Sequence, residues 1–86
     1  MFTPEFVNEE RGEYVLVSNH GLESTESVEL SLSYNRARIL AGRPHLPARI
    51  RTCRIVYDVR GQTVPDETIA QIRLLLSDLA LVEFMR

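Results

Sequence analysis

The chain is expected to fold as a small α+β domain: a three-stranded, mainly antiparallel sheet, a short helix or turn near 35–41, and a C-terminal amphipathic helix packed on one sheet face. Three observations lead there. VELSLSY (28–34) and CRIVYDVR (53–60) alternate in polarity with the period of a half-buried strand. The last third spaces its apolar residues with the period of a helix. A length of 86 residues has room for one core only.

Residues 1–12 carry Pro4, Gly12 and a run of acids without a period, and read as an N-terminal arm to a domain over 13–86. EYVLVS (13–18) is apolar and β-branched at both parities, as in a strand covered on both faces or a central one. SNHGLEST (18–25) is turn chemistry. Over 27–34, Val28, Leu30, Leu32 and Tyr34 then share one strand face, and Glu29, Ser31 and Ser33 the other, so a hairpin with the first strand is expected. The rival is one helix from Thr25 to Ala41; three serines and the two-residue spacing of apolar positions count against it.

After Tyr34 the parity breaks, and Gly42 followed by Pro44 suits the end of a short helix over 35–41. RPHLPAR (43–49) contains two prolines and reads as a rigid extended connector. The third strand, 51–60, puts Cys53, Ile55, Tyr57 and Val59 on one face. Thr63 or Asp66 can then cap a helix over 66–82, whose wide apolar arc includes Ile69, Ile72, Leu75, Leu76 and Leu79. Leu74 and Leu81, seven residues apart, fall on its other side as a second stripe. An alternative lets the tail LVEFMR leave the helix as a short strand. The core is expected to contain Leu30, Leu32, Ile55, Tyr57, Ile72, Leu76 and Leu79.

Charge is segregated along the chain although the formal net charge is only −2. Residues 1–35 hold seven glutamates against Arg11, residues 36–60 seven arginines against Asp58, and residues 61–86 four acids against two arginines. All ten basic residues are arginine, which fits either a genome-wide codon bias or selection for the planar guanidinium fork.

The residues that carry chemistry are sparse. Cys53 is the only cysteine, so no intrachain disulfide forms, and it lies on the apolar face of its strand, where a thiol acts as a small hydrophobe. His20 and His45 stand at no metal-ligand spacing, the acid pairs Glu9–Glu10 and Asp66–Glu67 suit solvent or a helix start, and the four glycines are scattered singly. No catalytic residue, metal or cofactor is expected. No apolar run approaches the ~20 residues of a membrane span, and the N-terminus lacks the pattern of a secretory signal, so a cytoplasmic protein is expected.

A belt of arginines over 36–54 remains. One reading is structural, with guanidinium groups meeting the chain's own glutamates. The functional readings are an acidic protein surface, met by bidentate forks, or nucleic-acid phosphates, with no aromatic residue inside the belt for base stacking. Arg38, Arg43, Arg49 and Arg51 are the expected contact residues. Leu74 and Leu81 are the expected self-association stripe, buried in a two-fold homodimer. The function expected is a non-enzymatic regulatory or inhibitory protein that acts by protein–protein binding, of the kind that accessory or phage-encoded factors use to block a host protein. The alternative is a small nucleic-acid-binding regulator that uses segment 36–54.

Overall fold

A computed structural model describes residues 6–8, 10–19, 21–47, 49–50 and 52–86. The elements are β1 (Phe6–Asn8), β2 (Glu13–Ser18), α1 (Thr25–Gly42), a single 3-10 turn (Arg43–His45), β3 (Thr52–Asp58), α2 (Asp66–Leu76) and β4 (Leu81–Met85). They build one sheet in the order β1-β2-β3-β4. Its three-stranded body, β2-β3-β4, is all parallel. Only the short edge strand β1, within the expected arm, pairs antiparallel, with β2.

The expected antiparallel sheet is therefore corrected. Segment 27–34 is not a strand; it lies inside the 18-residue α1, the helix weighed and set aside above, which also absorbs the short helix expected at 35–41. The alternation VELSLSY misleads because the buried face of α1 is polar at its centre: Val28, Ser31, Asn35, Ile39 and Gly42 face inward. Leu30, expected in the core, is 72% exposed, and Leu32 is only half-buried. The helix starts on a capping box. Ser24 Oγ accepts from Ser27 N, and Ser27 Oγ accepts from Ser24 N, each at 3.1 Å.

The second correction is at the C-terminus. The helix expected over 66–82 stops at Leu76, and the tail forms β4, as in the alternative reading. Leu79 N and Ala80 N fold back to Leu76 O at 3.0 and 2.9 Å, while Ser77 Oγ donates to Leu74 O at 2.8 Å. Two belt arginines hold this turn from outside. Arg43 Nη2 donates to Leu79 O at 2.8 Å, and Arg36 Nη1 reaches Leu75 O at 3.4 Å. Cations at exposed C-terminal carbonyls complement the negative end of the helix.

Each parallel step β2→β3→β4 moves one strand in the same direction, so two right-handed crossovers set both helices on the same face. The in-register rows Tyr14–Cys53, Leu16–Ile55–Val82 and Ser18–Tyr57–Phe84 lie on that face. Leu16, Ile55, Tyr57, Ile72, Leu76 and Leu79 are buried there in one cluster, with Val28 and Ile39 from α1. The core expected from Ile55, Tyr57, Ile72, Leu76 and Leu79 is thus correct.

Candidate partner-binding surface

The belt arginines are dispersed by the fold. Arg38 lies on α1, where Nη1 donates to Asn35 Oδ1 at 3.1 Å and to Val17 O at 3.4 Å, and its guanidinium sits 5.3 Å from the Tyr34 ring centroid. Arg43 is in the 3-10 turn and binds the α2–β4 turn as described. Arg49 is exposed in the connector, and Arg51 lies outside the described residues. Arg36 pairs with Asp78 at 3.3 Å and Arg54 with Glu13 at 3.4 Å and Glu83 at 3.5 Å; beyond the belt, Arg60 pairs with Asp58 at 2.8 Å. Much of the belt therefore ties the chain to itself.

Cys53 is buried on the helix-covered face, and burial pushes its thiol up. Burial likewise raises the Tyr14 and Tyr57 phenols. Tyr14 Oη donates to Ile39 O at 3.1 Å, tying β2 to the end of α1. These groups are held protonated at neutral pH, the opposite of an activated nucleophile. At the far end of β3, hydrogen bonds from Arg60 hold the Asp58 carboxyl below its ordinary value. Among the described residues no group of three or more His, Cys, Asp or Glu is placed to hold a metal ion. Among the described residues no helix is long and apolar enough to cross a membrane.

The distinctive surface is the other face of the sheet. Both helices lie on one side, and among the described residues no helix covers the opposite side, whereas parallel sheets are ordinarily covered on both faces. At its β1 end this side is nevertheless buried, with Glu13 and Val15 less than a tenth exposed, and it opens toward β4. Register places Glu13 beside Thr52, then Val15–Arg54–Leu81, Val17–Val56–Glu83 and Asp58–Met85 on this open side. Arg54 spans all three strands by reaching Glu13 and Glu83. Its Nε is buried and makes no hydrogen bond of good geometry among the described residues. Apolar groups flank this ion array. Leu81 is 64% exposed, and Val17 and Met85 are more than a third exposed.

The open face runs into a free edge. Among the described residues β4 pairs only with β3, and Met85 O accepts from Val59 N at 3.0 Å, which turns the backbone groups of 81, 83 and 85 toward β3. By alternation, the N–H and C=O groups of Val82 and Phe84 point outward from the sheet. Along this edge a groove of about 490 Å³ is lined by Arg73, Ser77, Ala80, Leu81 and Val82. The Arg73 guanidinium lies 5.4 Å from the Phe84 ring centroid, and Phe84 stacks on Tyr57 at 5.4 Å. Arg73 has no ion-pair partner among the described residues and is the only charged residue lining the groove.

The expected self-association residues both stand on the surface but not together on one helix. Leu74 is 74% exposed on α2, and Leu81 belongs to β4 and the open sheet face. Val17, Val56, Arg73 and Met85 carry the candidate surface without having been singled out in the sequence. The available signal was EYVLVS, apolar at both parities, which belongs to a strand inside a sheet and hence to a face needing cover. No family model, no curated protein and no solved structure matches this chain.

Proposed function

We propose that this chain is a non-enzymatic protein-binding domain, regulatory or inhibitory in role, that takes an extended segment of a partner protein along the free edge of β4. One observation carries the reading: a parallel edge strand whose outer side is unpaired among the described residues, beside a groove, with exposed Leu81 and Met85 on one side and, on the other, Arg73, which has no carboxylate partner among those residues. Strand addition supplies main-chain hydrogen bonds, and alternate side chains supply specificity. The partner segment that fits has an acidic side chain toward Arg73 and apolar side chains toward Leu81 and Met85. That acidic character keeps the expectation of an acidic protein partner and moves its contact away from Arg38, Arg43, Arg49 and Arg51. A cytoplasmic setting belongs to the same proposal, supported by a single buried, unpaired cysteine.

The test is affinity capture from source cells with wild type and with the double variant Leu81→Lys, Met85→Lys as baits, followed by binding measurements with the purified partner. Lysine at these exposed edge positions blunts strand addition without touching the core. A partner bound at least tenfold more weakly by the double variant, and also by Arg73→Glu, is the expected outcome. Equal binding to wild type and both variants overturns the reading. So does tight binding to generic DNA or RNA that falls steeply with salt and with Arg49→Ala, the outcome that the nucleic-acid alternative requires.

A further inference from the structure

The solvent-facing side of α1 carries its own pattern. Leu30, Tyr34, Ala37 and Ala41 follow one another at intervals of four, three and four residues, the spacing of a helix–helix seam, and all four are exposed. Leu30 is 72% and Tyr34 51% exposed, and Leu40, 49% exposed, flanks them. In sequence order the seam runs large, large, small, small. Charge along the same helix is split. Glu23, Glu26 and Glu29 mark its start and have no ion-pair partner among the described residues, whereas Arg36 and Arg38 lie in its second half and Arg43 caps it, with His45 just beyond.

From these two asymmetries we infer that α1 is a self-association surface, on which a second copy of the chain packs its own α1 antiparallel about a two-fold axis. Antiparallel pairing sets Leu30 against Ala41 of the second copy and Tyr34 against Ala37 of the second copy, so each large side chain meets a small one and the helices can approach closely. It also brings Glu26 and Glu29 level with His45 and Arg43 of the second copy. Arg43 binds a backbone carbonyl and has no carboxylate partner among the described residues. A parallel pair would instead set Leu30 beside Leu30, Ala41 beside Ala41, and each charge beside its like. The occupant that complements this helix is therefore the helix itself, reversed.

An 18-residue helix is about 27 Å long, and one helix pair buries an area at the low end of specific interfaces. The dimer is accordingly a micromolar one. Its surface is separate from the β4 edge, so the inference stands or falls independently of the proposed function.

Sedimentation equilibrium of the full chain from about 1 to 500 µM reads the association directly, at low and high salt. A dimer with a dissociation constant of about 1–100 µM, weakened by salt, is expected. Ala37→Glu with Ala41→Glu should give a monomer with an unchanged circular dichroism spectrum and melting curve, because both positions are exposed. Orientation is tested by thiol trapping: a mixture of Leu30→Cys and Ala41→Cys chains should form the mixed disulfide, while Ala41→Cys alone should not self-link. A wild type monomeric at 500 µM overturns the inference. So does a dimer that survives the double glutamate variant but is broken by Leu74→Glu or Leu81→Glu, or ready self-linking of Ala41→Cys.

Discussion

Asn35 is the residue on which the helix layer turns. It is fully buried, and its Nδ2 faces Ser18 Oγ at 3.1 Å, Ser31 Oγ at 3.2 Å and Tyr57 Oη at 3.1 Å, while Oδ1 accepts from Arg38. The amide thus joins α1, β2 and β3, and it satisfies hydroxyls that burial would otherwise leave without partners. Its removal costs more than one hydrogen bond because the remaining hydroxyls stay buried. Asn35→Ala is expected to lower the unfolding free energy by about 2–3 kcal/mol, measured by urea denaturation. Ser33→Ala, at an exposed position of the same helix, should be close to neutral. Equal effects for the two would remove Asn35 from this role.

At the scale of elements, α1 and α2 are helices of different kinds. α2 follows the ordinary rule, with Ile69, Ile72 and Leu76 on one buried face. The buried face of α1 has no continuous apolar stripe; its capping box and the hydrogen bonds of Ser31 and Asn35 replace what hydrophobic contact supplies elsewhere. The leucines of the two helices should therefore respond differently to truncation. Leu76→Ala, at a site 1% exposed, is expected to cost about 2–5 kcal/mol. Leu30→Ala should stay within about 0.5 kcal/mol, measured on dilute monomer so that self-association does not enter. A large loss at Leu30 would place it in the core and contradict the helix.

The whole molecule is a small body whose core includes three ionisable groups held neutral. Burial raises Cys53, Tyr14 and Tyr57 in the folded state, so at alkaline pH the unfolded chain releases protons that the folded chain retains. Above the ordinary thiol value of 9.0, the folded state binds more protons than the unfolded one, and stability must fall as pH rises. The loss begins with Cys53 near pH 9.0 and deepens as the phenols of the unfolded chain ionise near pH 10.0. Chemical denaturation from pH 7 to 10.5 should show a downward slope, shallower at its onset in Cys53→Ala. A flat profile in the wild type would mean that these groups are open to solvent.

What the residues determined unaided was the strand 13–18, the strand expected over 51–60 and found at Thr52–Asp58, the core positions from Ile55 to Leu79, and the start of the last helix. In each of these the local period and the tertiary burial agree, so polarity alone reports the structure. Tertiary structure decided the rest. VELSLSY carries a strand's alternation, but Ser31 and Asn35 find partners on β2 and β3, and that network makes a polar helical face worth burying, a gain invisible in hydropathy. Arg36 and Arg43 take up carbonyls at the end of α2, where the chain turns back and frees Leu81 for β4. Once 25–42 is a helix, its crossover makes the neighbouring strands parallel and puts both helices on one face. The open sheet face and the free edge of β4 exist only after that choice. The proposed surface of Val17, Val56, Arg73, Leu81 and Met85 had only the apolar EYVLVS as a local signal, because its parts come from three strands and a helix that the fold brings together.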